Sequence, residues 1–150
     1  MRVMCQFVLY AVAWLRASNF ERSLPLTTSL PRTVSRPIQF KNGCAIGISN
    51  RWRQGQYCTL LTEAGLVGCG IYDVKTAAEF GQAVAIARGT PQQPLVEPED
   101  LFDAKIVDAT PYALELGVRV GMTGREAVEI LLAASAKLGQ SDIGRIAQPV

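Results

Sequence analysis

The stretch IQFKNGCAIGISNRWRQGQYCTLLTEAGLVGCGIY, residues 38–72, contains four short apolar runs that are separated by turn sequences. Asn42-Gly43 supplies the positive φ angles of a tight hairpin turn. The polar residues 50–56 are predicted to form a longer loop, and residues 63–65 to turn the chain a third time. Because strands joined by short turns pair with antiparallel neighbours, the stretch predicts a four-stranded antiparallel meander.

Downstream, two further apolar runs extend the predicted sheet. Asp73 is placed to cap a short helix over residues 74–80, because its carboxylate can accept hydrogen bonds from the first free amides of a helix. A fifth strand is predicted at residues 83–88 and a sixth at residues 105–109, with a proline-rich loop between them. The loop leads into a short helix over residues 99–103. Four acidic residues cluster at the start of this helix, where we predict a solvated acidic face: Glu97, Glu99, Asp100 and Asp103.

The last third of the chain carries the clearest helical signals. Thr110-Pro111 begins a short helix, with a cap residue followed by proline at the first helical position. Thr123 and Glu126 have the spacing of a capping box. The apolar residues that follow fall on one face of a longer helix, for which Gly139 is a suitable stop.

These elements predict one α+β domain over residues 38–139, a mainly antiparallel sheet of five or six strands with the last two helices packed on one side. Residues 1–37 carry five arginines against one acid, and their second half is rich in Pro, Ser and Thr. We interpret them as an N-terminal extension and linker, disordered or not part of the natural product. A partner-binding or membrane-surface segment and a cleaved signal are the alternatives. The domain should therefore fold without residues 1–33, and residues 140–150 are predicted to form a loose tail.

The composition excludes several classes of protein. The chain has 150 residues, a net charge of +2 and no His, which rules out imidazole metal sites and Ser-His-Asp triads. Its four cysteines lack CxxC spacing, so free thiols and no metal or cofactor are expected. Residues 38–150 hold ten bases against twelve acids, which is no footprint for nucleic acid. The apolar run at residues 3–15 is too short to span a membrane, and a cytoplasmic protein is expected.

Cys69 is the candidate nucleophile. It lies between two glycines at a predicted strand end, where backbone can approach a ligand closely, and a thiol is reactive when its pKa is lowered. Asp73 is the second candidate catalytic residue. Its negative charge would raise the pKa of a nearby thiol, and the cations Arg88 and Arg125 could offset this effect. The alternative is that Cys69 is a small buried residue in a tightly packed strand.

Cys58 lies on the strand before Cys69, and the turn between the two strands decides whether their thiols meet. A two-residue turn pairs Cys58 directly with Cys69. A three-residue turn pairs Cys69 with Thr59 instead and puts the two thiols on opposite faces of the sheet. Both registers stay open from the sequence alone.

The start of the last helix is a second candidate site. Its free amides, together with Thr123, Gly124 and Arg125, could hold a small anion, and Arg88 joins them as a ligand-binding candidate. The capping box already uses some of these amides, so a purely structural cap is the alternative.

Three segments resemble a known family: GLVGCGIYD at residues 65–73, AVAIARG at residues 83–89 and GVRVGMTGREAVEIL at residues 117–131. They are similar to the YunC-like family of small bacterial and archaeal domains of unknown function, over about residues 38–132. The resemblance implies an α+β fold and candidate positions at Cys69-Gly70, Asp73 and residues 121–127. It implies no reaction, because the family carries no established activity.

Two functions of different classes fit these residues. The first is an oligomeric module that binds a small anionic ligand or a protein partner. An exposed Trp52 loop and several strand edges give a small domain reasons to form a homo-oligomer. The second is a small enzyme that uses the Cys69 thiol, with Asp73, Arg88 and Arg125 in support. The sequence does not decide whether the protein is an enzyme.

Overall fold

The strands of the sheet follow one another in chain order. The computed structural model describes residues 30–146, with side chains described for residues 30–139. Six strands pair in the order of the sequence: β1 Arg32–Phe40, β2 Gly43–Trp52, β3 Gly55–Leu61, β4 Leu66–Cys69, β5 Val84–Ala87 and β6 Ile106–Ala109. Every neighbouring pair is antiparallel except β4 with β5. The predicted α+β fold with a mainly antiparallel sheet is confirmed.

Within residues 30–146 the helical elements all follow β4: α1 Val74–Glu79, a 3₁₀ helix Pro98–Leu101, α2 Pro111–Glu115 and α3 Gly124–Ile146. α1 lies in the crossover between β4 and β5, which is why these two strands run parallel. Among residues 30–146, no helix combines the length and the apolar character that crossing a membrane requires.

One face of the sheet builds the core. Along β2 the side chains alternate, so that Ala45 is buried while its neighbours Cys44 and Ile46 are exposed. Most buried apolar side chains of the sheet form a single cluster with those of the 3₁₀ helix, α2 and α3, whereas Val84 and Ile86 of β5 are buried outside it. Leu60, Leu101 and Leu131 are among the largest side chains in this cluster that are fully buried. We call this side of the sheet the covered face.

The first strand begins earlier than the sequence pattern indicates. β1 starts at Arg32 rather than at Ile38, and it pairs with β2 along its whole length. Residues 32–37 have the composition of a linker, but pairing with a long neighbouring strand overrides local composition. Pro37 is tolerated because β1 is an edge strand, where a missing N–H group breaks no ladder bond. The predicted extension upstream of residue 30 lies outside the described residues.

The last helix ends later than predicted. α3 continues through Gly139 to Ile146, and Gly139 is not among the glycines with positive φ. A glycine inside a helix costs only about 1 kcal/mol relative to alanine, so a single one need not end it. The segment predicted as a loose tail therefore begins inside α3, and residues 147–150 lie outside the described part of the chain.

Candidate functional site

Cys58 and Cys69 face each other across β3 and β4. The turn between these strands has two residues at its tip, because the Thr62 N–H donates to the Gly65 carbonyl at 2.8 Å. The antiparallel register runs from this turn without a shift, which brings Cys58 opposite Cys69. Both side chains belong to the buried cluster on the covered face. Of the two registers that the sequence left open, the structure has the one in which the thiols meet.

The two thiols are both reduced but differ in character. Cys58 is fully buried and Cys69 is 8% exposed. The hydrogen bond that the Cys58 thiol donates to Cys69 lowers the pKa of Cys69 from 9.0 to about 6, and burial only partly opposes the shift. The backbone N–H groups of Cys58 and Ile71 stabilise the same thiolate. Donation of this hydrogen bond, together with burial, raises the pKa of Cys58. Cys69 is therefore the thiol that ionises first.

The two glycines beside Cys69 have different surroundings. A side chain at Gly68 would collide with the ring of Tyr72, which lies against this glycine on the face opposite the core. No atom lies within 4 Å of the place where a side chain would begin at Gly70. The close approach of a ligand that the sequence predicts is blocked at Gly68 by the protein's own tyrosine, whereas Gly70 is open.

Tyr72 is the neighbour of the thiol pair that sequence reasoning missed. Its hydroxyl shares a hydrogen bond with that of Thr59, and its ring meets the Tyr57 ring edge-on with centroids 6.2 Å apart. Burial raises the pKa of Tyr72. The available signal was Gly68, since a glycine inside a strand marks a close approach by some other group.

Asp73 caps α1. Its carboxylate accepts hydrogen bonds from the Thr76 hydroxyl at 2.6 Å and from the Lys75 N–H at 3.0 Å. These two bonds hold the pKa of Asp73 below its ordinary value. The cap agrees with the sequence prediction, and it commits the carboxylate to the first turn of the helix. The largest influences on the Cys69 pKa come instead from the Cys58 side chain and from burial.

Arg88 follows β5 and lines two cavities. The larger, of about 430 Å³, has three carboxylates in its lining besides Arg88. The smaller, of about 360 Å³, is also lined by Asp73, Asp108 and Lys75. Within the part of the chain that the structure describes, Arg88 takes part in no ion pair. The excess of carboxylates in the larger cavity disfavours a small anion there.

The start of α3 is a structural cap. The Thr123 N–H donates to the Glu126 carboxylate at 2.7 Å, and the Glu126 N–H donates to the Thr123 hydroxyl at 3.3 Å. The N–H groups of Gly124 and Arg125 donate to backbone carbonyls in the segment before β6, at 2.9 and 3.1 Å. Each of these amides already has an acceptor within the protein. The capping box is as predicted, but the predicted anion site has none of these amides to offer.

Gly124 and Arg125 both have packing roles. A side chain at Gly124 would collide with the Leu101 carbonyl, so glycine lets α3 approach the 3₁₀ helix closely. The Arg125 guanidinium lies 4.2 Å from the centroid of the Phe102 ring and 5.7 Å from that of Phe40. Stacking on aromatic rings is a favourable environment for arginine. The four residues predicted to bind a ligand are therefore divided between the α3 start and the Arg88 cavities.

The acidic residues around the 3₁₀ helix are tied to the first two strands. Arg36 donates two hydrogen bonds to the Glu99 carboxylate, at 2.5 and 2.6 Å, and Arg51 pairs with Glu97. Asp100 accepts from the backbone N–H of Glu97 at 2.8 Å. What the sequence predicted as a solvated acidic face is in part an ion-pair cluster, because β1 begins early enough to bring Arg36 over the helix.

The side of the sheet opposite the core is uncharged along its first three strands. We call this surface the open face, since no described helix has its buried side chains there. Ile46 and Leu61 lie opposite each other on it and are 38% and 40% exposed. Trp52 extends it at the end of β2, 44% exposed and edge-on to Tyr57. The strand register places these further residues on the open face: Thr33, Ser35, Pro37, Gln39, Cys44, Ile48, Asn50, Tyr57 and Thr59.

Comparisons with known proteins agree with this fold. A crystal structure of a protein of unknown function from Thermoplasma acidophilum superposes with a TM-score of 0.61 and 16% sequence identity. The superposition covers 71% of this chain and 99% of that one, and at this identity it shows a shared fold. No curated protein matches the chain. Residues 68–131 match the model of a family described as a domain of unknown function (DUF1805). That segment includes Cys69, Asp73, Arg88 and the α3 capping box but not Cys58.

Proposed function

We propose that the protein is an oligomeric binding module and that its open face joins two copies of the chain. The observation that carries the proposal is the combination of exposed apolar side chains, such as Ile46 and Leu61, with the absence of charge along three strands. Burial of apolar surface stabilises association by about 25 cal/mol per Å², and burial of an unpaired charge opposes it. An uncharged apolar sheet face is typical of a surface that a partner covers.

The absence of charge on the open face favours a second copy of the chain as the partner that covers it. An uncharged face carries no group that would recognise a basic or an acidic partner. Two identical faces related by a two-fold axis bury apolar surface on both sides and leave no charge without a partner. Packing of two sheets through such faces is a common arrangement in β proteins.

Features of the edge strand argue against the alternative of edge-to-edge pairing. β1 carries Pro37 at its middle, where proline has no N–H group to donate to a new strand. It also carries Arg32 and Arg36, and charged side chains on an edge strand oppose pairing with another chain. Assembly through the open face is therefore favoured over assembly through the β1 edge.

Light scattering on the full chain tests this proposal. Ile46→Glu places a charge in the middle of the open face, and we expect it to convert the dimer to a monomer at micromolar concentration. Val120→Glu is the matched control, because Val120 is exposed but lies outside the sheet. It should leave the dimer intact. A wild-type chain that is monomeric at micromolar concentration would overturn the proposal.

A second candidate function is a small enzyme that uses the Cys69 thiol, and the lowered pKa of Cys69 favours it. Asp73 caps α1 and Arg125 stacks on aromatic rings, so neither supports the thiol. Cys58 is the supporting group in their place, and Arg88 is a group for binding. The test is the pH dependence of Cys69 alkylation in the native protein. Half-maximal reactivity near pH 6, and a shift toward pH 9.0 in Cys58→Ala, would support the enzyme. A Cys69 that reacts only after denaturation would exclude this mechanism.

A further inference from the structure

We infer that Cys58 and Cys69 form an oxidation site, at which a peroxide converts the two thiols into a reversible disulfide. The inference goes beyond the assembly proposed above and does not depend on it. It uses the same thiol as the candidate enzyme but requires no turnover of a substrate.

The backbone already holds the two cysteines at a distance that suits a disulfide. Residues opposite each other in an antiparallel pair have Cα atoms about 4.5 to 5.5 Å apart. A disulfide requires Cα atoms roughly 4.4 to 6.8 Å apart. Both side chains also belong to the same buried cluster on the covered face. Closing the bond therefore needs side-chain rotation and little movement of β3 or β4.

Burial gives the two thiols an order of reaction. Cys69 is at the end of β4, is 8% exposed, and is followed by Gly70 with open space beside it. Hydrogen peroxide, a small molecule, would make contact at this exposed part of Cys69. Cys58 is fully buried behind it, so that an oxidant meets Cys69 first. Ionisation has the same order, since the Cys58 thiol donates its hydrogen bond to Cys69.

The reaction has two balanced steps. The Cys69 thiolate attacks one oxygen of hydrogen peroxide, the O–O bond breaks, and Cys69 becomes a sulfenic acid, while the hydroxide that leaves takes up the proton that Cys69 released on ionising and becomes water. The Cys58 thiol then attacks the Cys69 sulfur, the S–O bond breaks, and water leaves with the Cys58 proton. Two thiols lose two electrons in total, and one peroxide is reduced to two waters. A small dithiol reverses the change by thiol–disulfide exchange.

The other described cysteine provides an internal control. Cys44 is exposed and belongs to the open face, on the opposite side of the sheet from the thiol pair. In a chain whose open face is not covered by a second copy, as expected for Ile46→Glu, exposure alone would make Cys44 the first thiol to be oxidised. If the pairing with Cys58 decides the reaction, Cys69 is the first thiol to be oxidised instead.

The experiment treats the full chain with one equivalent of hydrogen peroxide, alkylates the remaining thiols after denaturation, and maps the peptides by mass spectrometry. Cleavage after Arg53 and Lys75 leaves Cys58 and Cys69 in one peptide, since no Lys or Arg lies between them. We expect this peptide to lose two hydrogen atoms and to take up no alkylating reagent. Further cleavage after Glu63 should leave two fragments that separate only on reduction.

The variants test the order of the steps. Cys58→Ala should abolish the disulfide and leave Cys69 as a sulfenic acid that dimedone traps. Cys69→Ser should abolish both products, and Cys44→Ser should behave as the wild type. Circular dichroism establishes that each variant is folded before its oxidation products are compared with those of the wild type.

Two results would overturn the inference. One is a peptide that keeps both thiols while Cys44 or Cys5 is oxidised. The other is a disulfide between two chains rather than within one. Neither result depends on the oligomeric state measured by light scattering or on any catalytic activity, so this inference and the proposed function can fail separately.

Discussion

Thr123 shows how a single side chain decides where a helix begins. Its hydroxyl accepts from the Glu126 N–H, and the Glu126 carboxylate accepts from the Thr123 N–H in return. These bonds hold the pKa of Glu126 below its ordinary value. The spacing of the two residues was sufficient to predict the cap, because the capping box depends only on local sequence.

Thr123→Ala should lower the free energy of unfolding by about 0.5 to 2 kcal/mol without changing the fold or the assembly. Arg125→Ala should cost about 0.5 to 1 kcal/mol through loss of its stacking on Phe102. Urea denaturation of both variants, followed by circular dichroism, measures the difference. Added phosphate should stabilise neither variant nor the wild type, because the amides at the α3 start already have acceptors. Stabilisation that disappears in Arg125→Ala would restore the anion site.

Glu99 should make stability depend on pH in the acid range. Its pKa lies below its ordinary value of 4.5, because Arg36 donates two hydrogen bonds to the carboxylate. A carboxyl group with a depressed pKa stabilises the fold fully above its ordinary pKa, and this stabilisation is lost as the pH falls through the folded-state value.

The measurement compares Glu99→Gln with the wild type by urea denaturation between about pH 7 and about pH 3. The variant should be less stable at the upper end, and the difference should vanish at the lower end. Asp103→Asn is the control, because Asp103 forms no ion pair among the described residues. A difference between Glu99→Gln and the wild type that does not change with pH would contradict this account.

Among the elements, α3 contains two glycines with opposite roles. A side chain at Gly124 collides with the Leu101 carbonyl, whereas nothing lies within 4 Å of Gly139. Gly124→Ala should therefore destabilise the protein by about 1 to 3 kcal/mol. Gly139→Ala should stabilise it by about 0.5 to 1 kcal/mol, since alanine loses less backbone freedom in a helix. Thermal unfolding measures the change in stability for each variant, which should be opposite in sign. A stabilising Gly124→Ala would show that α3 does not pack tightly on the 3₁₀ helix.

Elements made by residues close together in the chain could be predicted from the sequence, whereas those that depend on distant residues could not. The turn at Asn42-Gly43 and the caps at Asp73 and Thr123 were predicted, because each is made by residues close together in the chain. The pairing of Cys58 with Cys69 could not be decided, since it depended on a turn length that the sequence allows in two forms. The same limit applies to β1, whose residues form a strand only because β2 is long enough to pair with them.

The part of the candidate site that sequence reasoning missed is made of long-range contacts. The Tyr72 ring lies over Gly68, and its hydroxyl reaches Thr59 on the next strand. The Arg36–Glu99 pair joins residues 63 positions apart. Gly68 indicates that some group approaches it closely, but no local pattern identifies the partners of such contacts, because they follow from strand register and from the path of the proline-rich loop.

At the scale of the whole molecule, the start of β1 defines the smallest chain that should fold. The sequence predicted that residues 1–33 are dispensable, and β1 moves that limit to Pro31, where a compact unit begins. A chain that begins at Pro31 should keep the Tm of the full chain. One that begins at Ile38 loses most of β1 and the Arg36–Glu99 pair, and its Tm should fall by about 4 °C or more. Differential scanning calorimetry compares the three chains. Equal Tm values for all three would mean that residues 31–37 add nothing to stability.

The strand order, which repeats the order of the sequence, has a consequence for synthesis on the ribosome. Each strand from β1 to β6 can join the sheet as soon as it emerges, since its partner has already been made. The covered face is buried later than the sheet forms, because α3 is the last of the described helices along the chain and it packs on β2 and β4. Until then Leu60 and Val67 face water on a completed sheet. Until α3 has emerged, the nascent chain therefore exposes to chaperones the surface that the folded domain hides.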